Sequence, residues 1–356
     1  MKKNCENYQY QLLSRTIKWI RFPLILMIVM LHCYSALHVP GHPSYFVWVY
    51  PLGLWLGETG VPAFFFVSGF LFYNSSKTYM ERLRSRSKTL LVPYVVWNAL
   101  VLLVYGLLEL SGHTMQIAGK NMADYRMFDY VRAFVDRGQW DMGNGVPMLC
   151  PYWYIRNLMV LCLVSPLLYY AIKYLRYVPL FLFFGWWMIL PYNGMIASSL
   201  FFFCLGSYFS IREINPISFL REYHWYLYVG WLTLFFLDWL IHSGIMNSSL
   251  GLFVHRIALI SNIFILILIG SYLEGYKKTR RNVLDESTFW VYTIHYPLTI
   301  VVGTFGTSFF SKSHDWQILL FYCLSVLGIT IVCVLSYVVL HKWFPCFISF
   351  LTGGRA

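Results

Sequence analysis

Two residues near the start of the chain, Arg21 and His32, have the types and the spacing for acid–base chemistry on a charged ligand. Eleven residues of α-helix make about three turns, so both side chains would lie on one face, roughly 16 Å apart along the axis. A histidine can exchange a proton near neutral pH because its unperturbed pKa is about 6.5. An arginine on the same face suits an anionic ligand. The spacing fits equally well an arginine at lipid headgroups and a structurally buried histidine, and a helix that begins only at Pro23 would separate the two side chains.

Further ionisable residues lie within apolar stretches, where burying a charge in lipid is costly and therefore marks a candidate functional group. Glu58 and Arg156 could form an ion pair across a helix bundle. His295 precedes Pro297 by two residues, and the proline removes a backbone hydrogen bond and leaves room for a polar site. Tyr292 lies about one helical turn before His295. Other ionisable residues near the ends of apolar runs are interpreted as boundary residues that water reaches: Glu109, Asp238, His242, His255 and Arg256.

The composition identifies the kind of protein that must position these groups. Of 356 residues, 58% are hydrophobic and only 12% are charged, whereas soluble domains are about 25% charged. This composition excludes a soluble globular enzyme and a disordered chain. A nucleic-acid-binding protein is excluded because the net charge of +12 is spread over short loops and does not cluster on one face. The eight cysteines form no C-x-x-C pair, and no metal site is indicated.

Ten stretches are apolar enough to cross a bilayer, which needs about 20 residues of helix. They lie near 22–40, 48–73, 90–110, 152–172, 178–192, 196–211, 224–242, 254–273, 288–310 and 317–340. We therefore predict an all-α integral membrane protein, a bundle of about ten transmembrane helices. The fifth and sixth stretches could instead form one broken hairpin around Pro191–Gly194. Most Lys and Arg residues fall in segments that share a side if both termini are cytoplasmic, as the positive-inside rule predicts.

The predicted organisation has three parts. Residues 1–20 form a cytoplasmic segment that could be an interfacial helix, 21–340 form the membrane domain, and 341–356 form a cytoplasmic tail. The long outer loop, about 111–150, mixes carboxylates with aromatic side chains. That mixture could bind sugars through apolar faces and hydroxyl hydrogen bonds, or it could be an amphipathic helix at the interface.

Three segments, in this order, resemble the signature of the acyltransferase 3 family of multi-span membrane acyltransferases. The first is Arg21 to His32, the second is Gly60–Leu71 with its Phe-rich run ending in Ser-Gly-Phe, and the third is Glu286–His295, which reads Ser-x-Phe-x-x-Tyr-x-x-His. The chain departs from the expected pattern at Pro23 and Pro62, which lie inside the matched segments.

The resemblance implies an integral membrane O-acetyltransferase of the stand-alone type, in the inner (cytoplasmic) membrane of the cell. It would move an acetyl group from cytoplasmic acetyl-CoA, a co-substrate rather than a bound cofactor, to a hydroxyl of a cell-surface polysaccharide, glycolipid or glycan precursor. His32 would act as a general base or carry the acetyl group itself. The cationic residues expected to bind CoA are Arg21, Arg82, Arg84, Arg86 and Lys88, and the supporting polar groups are Glu58, Ser68, Arg156, Tyr292 and His295.

Two other functions fit the residues alone. A proton-coupled transporter or flippase of a lipid-linked sugar would also bury His, Glu and Arg within its spans. A membrane scaffold for polysaccharide assembly would be indifferent to mutation of Arg21 and His32.

Overall fold

The computed structural model describes residues 2–37, 45–113, 116–117, 120–137, 145–189, 194–246, 249–274, 283–310 and 314–354. The predicted break around 191–194 lies almost entirely outside these residues. The α-helices, in chain order, are α1 (Lys2–Ala36), α2 (Gly60–Tyr73), α3 (Tyr79–Arg86), α4 (Val92–Leu110), α5 (Met127–Arg132), α6 (Trp153–Leu175), α7 (Val178–Ile189), α8 (Met195–Ile211), α9 (Pro216–Glu222), α10 (His224–His242), α11 (Gly251–Glu274), α12 (Val283–Phe310), α13 (Asp315–Trp343) and α14 (Pro345–Leu351).

Shorter elements connect these helices. Tyr45–Val49, Pro51–Leu56 and Ser87–Leu91 are π-helical, and Gly57–Thr59, Met122–Asp124 and Cys150–Tyr152 are 3₁₀-helical. The strands β1 (Gln116–Ile117) and β2 (Lys120–Asn121) form an antiparallel hairpin.

The multi-span membrane character of the chain rests on its long apolar helices. Six segments among the described residues are long and apolar enough to cross a membrane: Arg15–Ala36, Val47–Tyr73, Tyr79–Leu110, Cys150–Leu175, Gly251–Leu273 and Asp315–Trp343. The pair α8 and α9, bent by 95°, would make a seventh. A helix lies over each of the ten predicted stretches, but α7 has only 12 residues, and polar residues such as Asp238 and His295 lower the hydropathy of α10 and α12. Ten crossings and cytoplasmic termini therefore stay predictions.

The chain divides into two compact units. Unit 1 comprises Met1–Val67 and Glu213–Val338, and unit 2 comprises Ser68–Arg212 and Val339–Ala356. Boundaries at residues 20 and 340 stay predictions.

In unit 1, α1 packs against α11, α12 and the helical segment 45–59. Three glycines allow close approach to α1. A Cβ on Gly57 would lie 2.9 Å from the Leu31 nitrogen, one on Gly303 would lie 2.6 Å from the Ala36 carbonyl oxygen, and one on Gly270 would lie 2.8 Å from an Ile20 side-chain carbon. The contact at Gly270 shows that the end of the predicted 1–20 segment packs on α11.

Pro23 does not interrupt α1, which runs from Lys2 to Ala36 with the proline inside. Arg21 and His32 therefore belong to one helix, and their separation of eleven residues corresponds to about 16 Å along its axis.

Unit 2 is built on α4, α6, α7 and α8. The ring of Trp187 stacks on Phe201, with centroids 5.3 Å apart, and α14 joins α4 through the Trp97 indole, which donates to the Leu351 carbonyl at 3.1 Å. A Cβ on Gly69 would collide with the Phe203 carbonyl, so only glycine permits this approach of α2 to α8.

The outer loop of unit 2 has a small core of its own, formed by Ile117, Met122, Ala133 and Met148. The Lys120 ammonium donates to an Asp129 carboxylate oxygen at 2.7 Å, which ties the hairpin to the first turn of α5. This hydrogen bond, with that from the Arg126 backbone N–H, lowers the pKa of Asp129.

The helix α5 leaves apolar side chains exposed in the structure. The exposed fractions are 83% for Met127, 70% for Phe128 and 64% for Val131. An exposed apolar face fits the interfacial-helix alternative for this loop.

Candidate active site

Two histidines from the first and twelfth α-helices meet inside unit 1. The ring centroids of His32 and His295 are 5.2 Å apart, with the planes tilted by 42°. His32 is half-buried and His295 is fully buried. The two motif ends that resemble the acyltransferase 3 signature therefore lie side by side.

The backbone of α12 fixes the tautomer of His295. Its Nδ1 lies 2.9 Å from the Val291 carbonyl oxygen, which can only accept, so Nδ1 carries the hydrogen of the neutral ring and Nε2 holds a lone pair. That Nε2 is buried and has no hydrogen-bond partner among the described residues. Buried polar atoms are seldom left unpaired, so such an atom marks a place where a ligand or a moving proton belongs.

Aromatic residues of α12 enclose the histidine pair. Tyr296 meets the His32 ring edge-on at 5.0 Å, and Tyr292 lies 6.3 Å from His295, on the shared face that the sequence predicts. Tyr292 is buried, so its hydroxyl is held in a low-dielectric environment where a hydrogen bond to a developing oxyanion is strong.

Arg21 and the basic residues of unit 2 differ in what they contact. Arg21 is exposed on α1, about three turns before His32. In unit 2, the Arg82 guanidinium donates to the Lys77 carbonyl at 2.7 Å and to the Ser75 carbonyl at 3.2 Å, so it organises the turn before α3.

The other basic residues predicted to bind CoA follow Arg82 on the same short segment. Arg84 and Lys88 are exposed, while Arg86 is half-buried. The segment is therefore a cationic surface with its own capping, since the Thr78 backbone N–H donates to the Glu81 carboxylate at 2.8 Å.

Arg156 contacts the backbone of the outer loop, and its ion pair with Glu58 stays a prediction. Its Nη1 donates to the Val135 carbonyl at 2.5 Å and to the Gly145 carbonyl at 2.7 Å, and its Nε contacts the Asn157 side-chain oxygen at 3.1 Å. These contacts anchor two points of the outer loop to α6. Ser68, also in unit 2, shares a hydrogen bond of 3.1 Å with the Tyr154 hydroxyl.

A second polar cluster in unit 1 contains Glu58 and residues that the sequence placed at water-exposed boundaries. Among the described contacts of Glu58, its carboxylate lies 2.8 Å from His255 Nε2, so the structure gives it a partner other than Arg156. His255 Nδ1 lies 2.9 Å from an Asp238 oxygen. The interpretation as boundary residues is wrong for Asp238, His255 and Arg256, which are 0%, 5% and 0% exposed.

Tyr50 and His242 extend this cluster. The Tyr50 hydroxyl donates to Asp238 at 2.7 Å, and the His242 Nδ1 lies 2.9 Å from the same hydroxyl oxygen. Asp238 and His242 are four residues apart on α10, and α11 returns beside α10 with His255 near its start. The spacing of Asp238 and His242 on one helix face, and the short connection from α10 to α11, could have indicated a polar cluster from the sequence. Nothing in the sequence singled out Tyr50.

The turn that carries Glu58 is fixed from α11. The Asn262 side-chain amide donates to the Trp55 carbonyl at 3.1 Å and to the Thr59 hydroxyl at 3.0 Å. These bonds satisfy backbone and hydroxyl groups where the segment passes from π-helix to 3₁₀-helix, a type of irregularity that often occurs at functional positions.

Comparisons with known proteins match the part of the chain that carries these residues. The family model of the acyltransferase 3 family, described as an acyltransferase domain, matches residues 15–338. The succinoglycan biosynthesis protein ExoH of Rhizobium meliloti (strain 1021) is 24% identical over 365 aligned residues, which cover 93% of this chain and 91% of that protein. No solved structure matches the chain at a significant level. The match spans both histidine-bearing helices and all predicted site residues, and the chain belongs to the acyltransferase 3 family.

Proposed function

We propose that the protein is a membrane O-acetyltransferase that moves an acetyl group from cytoplasmic acetyl-CoA to a hydroxyl of a cell-surface polysaccharide, glycolipid or glycan precursor. The observation that carries the proposal is the contact of half-buried His32 with fully buried His295, whose Nε2 has no partner among the described residues. Family membership supports acyl transfer. A relative named for succinoglycan biosynthesis supports a polysaccharide acceptor. The proposal places the protein in the cell's inner membrane.

His32 has the position and chemistry of the central group. In the direct route, a neutral His32 takes the proton of the acceptor hydroxyl while the hydroxyl oxygen attacks the thioester carbon. The C–S bond then breaks, and the proton passes to the departing sulfur. Such general-base assistance contributes about 10²–10⁴-fold to the rate. The unpaired Nε2 of His295 can accept a hydrogen bond and so hold the neighbouring imidazole in one orientation.

A covalent route uses the same residue. The His32 nitrogen attacks the thioester carbon and becomes acetylated while the thiol leaves, and the acceptor hydroxyl then takes the acetyl group and restores the imidazole. In both routes Tyr292 is the candidate of unit 1 to donate a hydrogen bond to the oxyanion, which is worth about 3 kcal/mol per donor. Ser68 and Arg156 stay alternative candidates from the sequence.

Donor binding is assigned to cationic side chains. Arg21, Arg82, Arg84, Arg86 and Lys88 would pair with the phosphates of CoA, since charge-assisted bonds from Arg to phosphate are strong and often bidentate. No bound cofactor and no metal is part of the proposal. The outer loop is a candidate acceptor surface, because it holds a cavity of about 100 Å³ lined by Tyr125, Asp129 and Arg132 among others.

The test uses purified protein in nanodiscs with acetyl-labelled acetyl-CoA and a panel of glycans. We expect label transfer by the wild type and a loss of at least about 100-fold in His32→Ala, with acetyl-CoA binding retained. His224→Ala is the matched control, because His224 lies at the start of α10 with its Nδ1 2.8 Å from the Arg221 carbonyl oxygen.

Two further outcomes are informative. Label recovered on the wild-type protein itself would select the covalent route. A wild type that neither binds acetyl-CoA nor releases CoA with any acceptor would overturn the proposal and favour a transporter.

A further inference from the structure

The polar cluster around Glu58 forms one unbroken hydrogen-bonded chain. We call the sequence His242, Tyr50, Asp238, His255 and Glu58 the polar chain. Its successive contacts are 2.9 Å, 2.7 Å, 2.9 Å and 2.8 Å. Every member can both release and accept a proton, so the contacts form a route along which a proton can be exchanged.

Only the two ends of the polar chain retain solvent exposure. The His242 side chain is 31% exposed and the Glu58 side chain is 17% exposed, whereas the side chains of Asp238 and His255 are 0% and 6% exposed. The two ends of the polar chain are therefore accessible, and its middle is closed to solvent.

The charges within the polar chain fix the state of its central imidazole. Both ring nitrogens of His255 face carboxylate oxygens, which accept hydrogen bonds when ionised, so the ring donates from both nitrogens and carries a positive charge. The buried guanidinium of Arg256 also interacts electrostatically with Glu58, and Tyr34 faces Tyr50. Two carboxylates and two cations thus lie together, with only Glu58 partly exposed, and their proximity compensates the cost of removing each charge from water.

The polar chain fits either a purely structural network or a network that acts on a bound ligand. Among the described residues, no group of three or more His, Cys, Asp or Glu side chains has the geometry to hold a metal ion.

The position of Glu58 beside α1 favours a role of the polar chain in the candidate active site. Gly57 lies directly against Leu31 of α1, where a Cβ would be 2.9 Å from the Leu31 nitrogen. The chain from Gly57 to Gly60 runs antiparallel to α1, because a Cβ on Gly60 would meet Ile28 and Leu24, which lie nearer the start of α1. Glu58 therefore lies roughly one helical turn from His32 along the axis of α1, which is close to the level of the histidine pair.

We propose that Glu58 accepts a hydrogen bond from the acceptor hydroxyl, and that the polar chain behind it fixes the carboxylate and exchanges its proton with water at His242. The proposal rests on the proposed acyl transfer and adds an acceptor-positioning residue to it. A carboxylate has about four acceptor sites, so Glu58 can bind a hydroxyl while it contacts His255. The hydroxyl proton passes through His32 to the departing sulfur, so a turnover moves no net proton along the polar chain. The polar chain keeps Glu58 ionised, because a proton bound to its carboxylate between turnovers leaves through His255, Asp238 with Tyr50, and His242.

The kinetic test uses acetyl-CoA and octyl glucoside as the hydroxyl probe, with protein in nanodiscs. Glu58→Gln is expected to raise KM for octyl glucoside about 10-fold or more while KM for acetyl-CoA is unchanged. His242→Ala should lower the rate about 10-fold and shift the pH profile, and free imidazole should restore the rate, because His242 is accessible from water. His224→Ala, at the other end of α10, should show neither the loss nor the rescue.

A purely structural network predicts a different kinetic result. If Glu58→Gln raised both KM values together, or if imidazole failed to restore His242→Ala, the proposal would be overturned. Tyr50→Phe provides a second variant that keeps the ring and removes the hydroxyl between His242 and Asp238. It leaves the direct contact of 3.2 Å between His242 Nδ1 and an Asp238 oxygen, so its effect should be smaller than that of His242→Ala. Size-exclusion chromatography establishes that each variant is folded.

An infrared measurement tests the polar chain without any acyl transfer. On acidification in D₂O, the wild type should develop the stretching band of a protonated carboxyl group, which should be weaker in Glu58→Gln and appear about 10-fold more slowly in His242→Ala. Equal band growth in all three proteins would overturn the proposal. A wild type that is inactive towards octyl glucoside but shows the expected infrared behaviour would count against the proposed acceptor class and leave the proton route supported.

Discussion

Replacing Gly57 with alanine tests whether the close approach of the 45–59 segment to α1 positions the candidate site. A Cβ at this position would lie 2.9 Å from the Leu31 nitrogen, 3.0 Å from the Met27 oxygen and 3.1 Å from the Leu31 Cα. All three are backbone atoms, so no side chain can rotate away. Ordinary contact begins near 3.4 Å, and the two helical segments must therefore separate by about 0.5 Å.

The expected loss of stability follows from two opposing effects. Overpacking of a close contact costs about 1–3 kcal/mol, and exchanging glycine for alanine in helical backbone recovers about 0.5–1 kcal/mol. Taken at the middle of these ranges, the net destabilisation is about 1 kcal/mol. At roughly 2–4 °C per kcal/mol for a chain of a few hundred residues, the melting temperature should fall by about 2–4 °C.

Gly328→Ala is the matched control. Gly328 lies in α13 of the same unit, and its Cβ would meet nothing within 4 Å. The same substitution there should raise the melting temperature slightly, because only the gain in helix propensity operates. Thermal melts in one detergent, followed by the fluorescence of the chain's 14 tryptophans, measure both variants. A Gly57→Ala protein that melts at or above the wild-type temperature would refute the close contact.

Two more predictions concern unit 2. Asp129→Asn should speed hydrogen–deuterium exchange of the outer loop at pH 7. Because its pKa is lowered in the folded state, the stabilisation by ionised Asp129 is present above the unfolded pKa, about 3.9, and is lost as the pH falls below it. The difference between variant and wild type should therefore vanish in acid, and a difference that persisted at pH 2 would contradict the assignment. Asn98→Ala removes the acceptor of the buried Leu149 N–H, 2.9 Å away, and should cost about 1–3 kcal/mol, measured as a lower melting temperature; an unchanged melt would show that this hydrogen bond adds no stability.

The sequence predicted the parts of the molecule that depend on local composition. Each apolar stretch became a helix, because hydrophobic runs of this length satisfy their backbone only as helices within lipid. The meeting of His32 and His295 was anticipated by motif resemblance, since no local pattern relates residues of the first and twelfth helices. The spacing of Tyr292 and His295 on one face followed from helical periodicity.

The polar chain was missed because partners across a bundle are set by tertiary packing. Asp238 and His255 lie near helix ends, a position usually exposed to water. The structure buries them in contact with Tyr50, which lies between two π-helical segments. The hairpin of β1 and β2 was also missed, because strands of two residues carry no readable alternation.

The arrangement around α1 has a consequence for biosynthesis. The Tyr322 hydroxyl donates to the Met30 carbonyl across 292 residues of chain. At about 5–20 residues per second, roughly 15–60 s separate the synthesis of these two partners. Until α12 and α13 have been synthesised, the first helix lacks these packing partners, and His32 lacks its neighbour His295. Truncation before α12 would leave an unassembled membrane segment for the cell's proteases to remove, so loss of the final helices should abolish the protein itself as well as its activity.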